Sequence, residues 1–115
     1  MEFSTSLKLN HIFRRLYHSG NQAANRYLAL YCRRNRTPGN RVGITAGKKL
    51  GKAVVRNRVR RRLREIYRIH EGQFKPGYDL VVVARTAAVD ASFAQLQGAY
   101  LALAAKLGVL REDAP

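Results

Sequence analysis

The segment from Lys48 to Arg68 constrains the fold of this chain most, because it is both strongly basic and amphipathic. It contains a single acid, Glu65. At about 100° per residue, one narrow stripe of a helix would hold Val55, Val59, Leu63, Ile66 and His70. The opposite face would hold Asn57, Arg60, Arg61, Arg64 and Arg68. The pattern predicts one helix, from about Ala53 to His70, that buries its first stripe and exposes guanidinium groups.

The charge pattern of this helix indicates a polyanionic partner. Arg56, Arg60, Arg64 and Arg68 are spaced four apart, and each such like-charge pair costs roughly a few tenths of a kcal/mol. A face that served only solubility would tolerate mixed signs. Arginine suits phosphate because its planar fork donates two hydrogen bonds and keeps its charge. Together with a formal net charge of +15 and a pI near 11.1, the pattern predicts nucleic-acid binding.

Composition limits the alternatives. A chain of 115 residues, 46% of them hydrophobic, predicts one folded domain over residues 1–115, with mobile ends at about 1–7 and 109–115. No apolar run approaches the ~20 residues of a membrane span, and the first ten residues do not resemble a signal peptide. The one cysteine, Cys32, excludes an internal disulfide and is interpreted as a small core residue. We expect a cytoplasmic protein with no membrane partner.

The remaining elements follow from periodicity and turn residues. Asn10 can cap a first helix that runs to about His18. Residues 21–25 read as a turn or short edge strand, and strands are predicted at 26–33, 41–46 and 78–84. The last of these contains three consecutive valines, as a central strand does. A final helix is predicted at 90–107 with a capping box. This order predicts an α+β sandwich with a four-stranded sheet.

The strand at 26–33 alternates with period two. One face carries Leu28, Leu30 and Cys32, and the other carries Tyr27, Ala29, Tyr31 and Arg33. An exposed aromatic beside a cation could stack an unpaired base, which is worth ~1–3 kcal/mol per base. Tyrosine packed beneath a helix is the alternative, and periodicity does not decide between the two.

The acids and histidines suggest no active site in the protein itself. Hydrolysis of RNA needs clustered carboxylates that hold a metal ion, or an acid–base pair. The seven acids form no obvious ligand pair, and one cysteine with scattered histidines cannot supply a zinc site. We predict no catalytic residue, no metal site and no tightly bound cofactor.

Residues 53–64, AVVRNRVRRRLR, resemble the signature of the bacterial ribonuclease P protein family. Further similarities cover about residues 7–107. They comprise Leu7-Lys8, Phe13, Tyr17, Gly20, Asn25-Arg26, Leu30-Tyr31, Arg41-Val42-Gly43, Gly47-Lys48-Lys49 and the YDLVVVAR segment from Tyr78. Arg60 stands where many members carry lysine, which keeps the charge.

The resemblance implies a fold like ribosomal protein S5 domain 2, with a left-handed β-α-β crossover that contains the basic helix. It implies a holoenzyme whose RNA subunit removes the 5′ leader of precursor tRNA, with Mg²⁺ held mainly by RNA. The expected partners are the catalytic RNA and precursor tRNA, without any further protein. The predicted RNA-binding residues are Lys48, Lys49, Arg56, Asn57, Arg60, Arg61, Arg64 and Arg68. The expected lining of a cleft for the leader is Phe13, Tyr17 and Tyr31.

Three other functions are compatible with a basic chain of this size. A ribosomal structural protein would carry long basic tails, whereas this chain ends in REDAP. A DNA-reading helix needs base-edge contacts near its start, for which Asn57 alone is thin support. A metal-dependent nuclease would need the carboxylate cluster that the sequence does not suggest.

Overall fold

The computed structural model describes residues 4–6, 14 and 20–111. Within residues 20–111 together with Ser4–Ser6, two helices and five strands form an α+β fold, which confirms the predicted class. The strands are β1 (Ser4–Ser6), β2 (Asn21–Ala24), β3 (Leu28–Arg34), β4 (Asn40–Thr45) and β5 (Tyr78–Ala84). The helices are α1 (Ala53–His70) and α2 (Phe93–Lys106), and short 3-10 helices occupy Lys48–Leu50, Glu71–Gln73 and Thr86–Ala88.

The strands form one mixed sheet in the order β1-β4-β5-β3-β2. The valine-rich β5 lies at its centre, as predicted, pairing parallel with β4 and antiparallel with β3. Helix α1 connects β4 to β5, so the predicted β-α-β crossover is confirmed. The handedness of that crossover stays a prediction. Residues 21–25, read as a turn or edge strand, form the edge strand β2.

The sheet has five strands where the sequence predicts four. Ser4–Ser6 pairs parallel with β4, with Ser4 opposite Asn40 and Ser6 opposite Val42. The expected mobility of residues 1–7 stays a prediction. Period-two alternation does not predict β1, because a Ser-Thr-Ser segment contains no apolar residue. This strand is defined by its backbone pairing with β4 alone.

The segment after α2 pairs with the segment that follows α1. Val109 is fully buried, and Leu110 forms a β-bridge with Phe74. The backbone N–H of Arg111 donates to the carbonyl of Gln73 at 2.7 Å. The expected mobility of residues 109–115 stays a prediction.

Most predicted boundaries agree with the structure. Helix α1 and strand β5 have the predicted bounds. Strand β3 begins at Leu28, two residues late, because the Asn25 side chain accepts the N–H groups of Tyr27 and Leu28. Helix α2 begins at Phe93 after the Ser92–Gln95 capping box, which is confirmed. The predicted first helix lies outside the described residues except for Arg14, which is helical and exposed.

One face of the sheet packs against both helices to form the core. The predicted inward residues of β3, Leu28, Leu30 and Cys32, are buried there. Burial raises the pKa of the Cys32 thiol, in agreement with its interpretation as a core residue. The core cluster also contains Val59, Leu63, Ile66, Leu80, Val82, Leu96 and Leu103.

Three buried aromatic rings pack against one another where the two helices approach Phe74. The ring of Phe74 lies 5.0 Å from that of Tyr67 and 6.1 Å from that of Tyr100, measured between centroids. The Tyr67 hydroxyl receives a hydrogen bond from Asn40 Nδ2 at 3.2 Å. The buried Tyr100 hydroxyl has no hydrogen-bond partner among the described residues, and its desolvation strongly raises the pKa of Tyr100.

Replacing Tyr100 by phenylalanine is expected to leave the free energy of unfolding unchanged or to raise it by up to about 1 kcal/mol. The substitution removes a hydroxyl that is buried without a partner and keeps the ring. Tyr67→Phe is the matched control and should destabilise the fold by about 1 kcal/mol, because Asn40 then loses an acceptor. Urea unfolding of both variants tests the pair, and equal destabilisation would contradict the expectation.

Candidate nucleic-acid interface

Helix α1 is oriented by its apolar stripe, as predicted. Val59, Leu63 and Ile66 are buried, while Val55 and His70 at the two ends are half-buried. The next buried residue, Tyr67, widens the stripe. Because the stripe faces the sheet, the opposite face of α1 is turned outward.

The predicted RNA-binding residues lie on that outward face or on the turn before it. Arg56 and Arg60 are half-buried. The exposed members are Lys48, Lys49, Asn57, Arg61, Arg64 and Arg68. We call the eight residues together the arginine surface.

Only one residue of the arginine surface forms an ion pair within the part of the chain that the structure describes. Arg68 Nε donates to Glu65 Oε2 at 2.9 Å, which forms an ion pair with the single acid of the basic segment. The pair lowers the pKa of Glu65 and raises that of Arg68. Arg61 and Arg64 have no carboxylate partner in the same part of the chain. Within residues 4–6, 14 and 20–111, no carboxylate therefore compensates these two charges, and both side chains are exposed.

Arg60 joins the helix to the end of a strand. Its Nη1 donates to Asn57 Oδ1 at 2.8 Å and its Nη2 donates to the Ala46 carbonyl at 3.1 Å. The side chain is thus held in one orientation, which reduces the ordering cost of a contact with phosphate. The bond also fixes the Asn57 amide so that its NH₂ group points away from Arg60.

Two further arginines of α1 have environments that sequence spacing does not reveal. Arg62 donates to the Ala91 carbonyl at 3.1 Å and so ties α1 to the segment before α2. Arg56 has a buried Nε without a hydrogen-bond partner among the described residues. Positions on the helical wheel do not indicate these environments, because both depend on what packs beside the helix.

A groove of about 550 Å³ lies beside the start of α1. One wall is the turn that carries Lys48 and Lys49, and the other is Arg85 and Thr86 after β5. Gly51 closes the turn with φ of 124°, a conformation that other residues rarely adopt. Arg85 is not among the residues predicted from the sequence. A parallel pairing of β4 with β5 would have placed Arg85 near Lys48 and Lys49, because it brings the carboxyl ends of both strands to one edge of the sheet.

Only one of the three predicted cleft residues can be located. Tyr31 is half-buried on the face of β3 opposite the core, between Gln22 and Val81 across the sheet. Phe13 and Tyr17 lie outside the described residues. Arg33 follows Tyr31 on the same face and is exposed. The cleft itself stays a prediction.

Residues 4–6, 14 and 20–111 contain no group of three or more His, Cys, Asp or Glu side chains that could hold a metal ion. In the same part of the chain, no helix has the length and apolarity needed to cross a membrane. The chemistry on the outward face of α1 is that of hydrogen-bond donors and positive charge, which suits the oxygens of an anion.

The fold and this surface define a small α+β protein whose basic helix packs against one sheet and exposes a cationic face. The family model described as Ribonuclease P matches residues 1–108. The ribonuclease P protein component of Clostridioides difficile is 45% identical over 96 residues, covering 81% of this chain and 84% of the relative. The chain belongs to the ribonuclease P protein family.

Solved structures of ribonuclease P proteins superpose closely on this chain. The ribonuclease P protein of Staphylococcus aureus superposes with a TM-score of 0.85 at 33% identity, covering 92% of this chain and 97% of that one. A mutant S. aureus ribonuclease P protein with defective mRNA degradation activity superposes with a TM-score of 0.84 at 34% identity, covering 90% and 88%. The resemblance stated from the sequence is confirmed.

Proposed function

We propose that this protein is the RNA-binding subunit of ribonuclease P and assists a catalytic RNA in removing the 5′ leader of precursor tRNA in the cytoplasm. Family membership supports the role in ribonuclease P. The observation that carries the binding role is the set of solvent-facing arginines on α1, of which Arg61 and Arg64 have no carboxylate partner among the described residues. In this proposal the arginine surface binds the catalytic RNA.

The mechanism we propose is electrostatic and positional. Two RNA molecules that share an active site repel each other through their phosphates, and cationic side chains between them offset that repulsion. The fixed orientation of Arg60 places one such charge at the junction of α1 with β4. The protein then lowers the Mg²⁺ concentration that the RNA needs for its active fold.

The donor groups of the arginine surface do not suit a Mg²⁺ site. Mg²⁺ prefers carboxylate and carbonyl oxygens, whereas the arginine surface presents guanidinium, ammonium and amide groups. We therefore assign the metal ions to the RNA.

A cleavage assay at low Mg²⁺ tests the proposed function. Precursor tRNA is incubated with the protein alone, with the catalytic RNA alone, and with both. We expect leader release to be fastest with both and absent with the protein alone. Leader release by the protein alone would overturn the assignment of catalysis to RNA. An unstructured mRNA in the protein-alone reaction tests whether this chain has an activity like that of the S. aureus relative.

Simultaneous replacement of Phe13 and Tyr31 by alanine is expected to weaken binding of precursor tRNA by the holoenzyme and to spare mature tRNA. Each stacked base contributes ~1–3 kcal/mol, and mature tRNA has no leader to stack. Tyr31→Phe keeps the ring and should bind as the unmodified protein does. Filter binding with both ligands measures the difference, and equal losses for precursor and mature tRNA would show that the leader does not lie there.

A further inference from the structure

A second group of cations lies at the opposite end of β4 from Lys48. Arg34 ends β3, Arg36 follows in the turn that joins β3 to β4, and Lys75 lies shortly before β5. Because β5 lies between β3 and β4 in the sheet, this turn crosses the start of β5 and brings the three residues to one end of the sheet. We call Arg34, Arg36 and Lys75 the turn cluster. None of the three is among the residues predicted from the sequence to bind RNA.

The backbone that carries the turn cluster is fixed by hydrogen bonds between distant segments. The N–H of Asn35 donates to the Gly77 carbonyl at 2.8 Å. The N–H of Lys75 donates to the Val109 carbonyl at 2.8 Å, and the Lys75 carbonyl accepts from Asn40 Nδ2 at 3.1 Å. A bound anion would therefore not have to order this backbone, which lowers the cost of binding.

Arg36 lies in the turn in a strained conformation. Its φ is 58°, and among the described residues it is the only one other than glycine with a positive φ. This region is unfavourable for arginine and is commonest for glycine and asparagine. Such outliers persist where surrounding structure enforces them, and they are concentrated at functional positions. An exposed arginine at a position that suits glycine therefore favours a role for its charge.

No carboxylate of the described residues forms an ion pair with the turn cluster. Asp79, at the start of β5, is buried and is paired with Arg41 at 2.6 Å. That pair lies on the sheet face opposite α1. The Arg34 guanidinium lies 5.8 Å from the centre of the Tyr78 ring, which orients the side chain and leaves its charge in place.

A groove of about 330 Å³ lies between the turn and the end of α1. The turn lines it with Pro38 and Gly39, and the segment after α1 lines it with Glu71 and Gly72. Glu71 and Arg111 are the charged residues among its described lining. Their charges are opposite, so the groove adds no net charge to that of the turn cluster.

The turn cluster and the arginine surface are neighbours on one side of the sheet. Arg34 occupies the core-facing side of β3, the side on which α1 packs. Helix α1 ends beside the turn, because the Tyr67 hydroxyl accepts from Asn40 Nδ2 at 3.2 Å. Only about 5 Å of helical rise separates Arg68 from Glu71, which lines the groove. A polyanion that follows α1 to Arg68 therefore meets the groove and the turn next.

We propose that the turn cluster binds phosphates of the catalytic RNA, as a continuation of the arginine surface past the end of α1. The proposal rests on the function proposed above. Guanidinium and ammonium groups suit phosphate oxygens. The catalytic RNA is favoured over the leader because Arg34 and Tyr31, the one located residue of the predicted leader cleft, lie on opposite sides of β3.

Titration of labelled catalytic RNA with the full chain at several salt concentrations tests the proposal. The variant carries Arg34→Gln and Arg36→Asn, since asparagine tolerates the left-handed backbone. We expect several-fold weaker binding and a log–log slope that is smaller by about 0.7–0.9 for each lost phosphate contact. Arg34→Lys with Arg36→Lys keeps both charges and should keep the slope. Lys75→Gln repeats the test if the double variant does not fold.

Arg26→Gln is the matched control for the single variant Arg34→Gln. The Arg26 guanidinium lies 5.6 Å from the centre of the Tyr27 ring, so it too is an arginine stacked on tyrosine, at the other end of β3. Its replacement should leave the slope unchanged. Equal losses in Arg26→Gln and Arg34→Gln would show a general effect of net charge and would overturn the proposal.

The remaining outcomes separate this proposal from its rivals. Unchanged slopes in the turn-cluster variants, beside a reduced slope in Arg64→Ala, would overturn this proposal alone, whereas unchanged slopes in all of them would also contradict the proposed function. Weaker binding of precursor tRNA by the holoenzyme, with catalytic RNA bound as before, would assign the turn cluster to the leader and overturn the proposal.

The chain's own acids are the other possible occupant, since Glu112 and Asp113 follow Arg111 in the sequence. Glu112→Gln with Asp113→Asn would then tighten binding of catalytic RNA only when the turn cluster is intact. That result would overturn the proposal. We expect instead the same small change in the presence and in the absence of the turn-cluster substitutions.

Discussion

Replacing Arg60 and Arg64 by alanine, singly and together, is expected to weaken binding to the catalytic RNA and to flatten its salt dependence. Each phosphate contact that is lost should reduce the log–log slope of affinity against salt concentration by about 0.7–0.9. Arg64 is exposed and makes no ion pair within the described residues, so its removal changes charge alone. Titration of labelled catalytic RNA at several salt concentrations measures both quantities.

The two arginines are expected to differ in a second measurement. Arg60 also donates to the Ala46 carbonyl, so Arg60→Ala should lower stability by about 1 kcal/mol in addition to weakening binding. Arg64→Ala should leave stability within about 0.5 kcal/mol of the unmodified protein. Lys106→Ala, on α2, removes one charge away from the arginine surface and serves as the control. Slopes that stay unchanged in both arginine variants would exclude their role as phosphate contacts.

Asn40→Ala is expected to cause the largest loss of stability, about 3 kcal/mol. The buried Asn40 side chain makes three hydrogen bonds that join different parts of the fold. Its Nδ2 donates to the Lys75 carbonyl at 3.1 Å and to the Tyr67 hydroxyl at 3.2 Å, and its Oδ1 accepts the Tyr78 N–H at 2.8 Å. Alanine would remove all three bonds from the interior of the fold, and a buried polar group that loses its partner costs about 1–3 kcal/mol.

Urea unfolding of Asn40→Ala beside Asn21→Ala tests this expectation. Asn21 is exposed on the edge strand β2, so its replacement should change the free energy of unfolding by less than about 0.5 kcal/mol. A similar small change in both variants would show that the Asn40 bonds contribute little. Because Asn40 lies away from the arginine surface, binding of catalytic RNA by the folded fraction should persist.

The features predicted well from the sequence are those set by local periodicity. The bounds of α1 follow from its apolar stripe, those of β5 from its valines, and the start of α2 from a capping box between neighbouring residues. In each case one short segment contains the whole signal. The outward direction of Arg61 and Arg64 follows in the same way, because a buried stripe fixes the opposite face.

The features that were missed depend on pairing between distant segments. Strand β1 exists because Ser4–Ser6 pairs with β4, and Leu110 is held beside Phe74 by a β-bridge. The bond from Arg60 to Ala46 and the bond from Arg62 to Ala91 likewise need the tertiary structure. Periodicity assigns a side chain to a face but does not reveal its partner there.

The connection of α1 to two adjacent parallel strands determines how this protein can meet RNA. The helix is tied to the sheet side of the fold near its middle by Arg60 to Ala46 and in its last turn by Tyr67 to Asn40. If the arginine surface binds RNA as proposed, a helix restrained in this way requires the nucleic acid to conform to the spacing of its cations. We therefore expect α1 to keep the same conformation in the free and the bound protein, with little folding coupled to association.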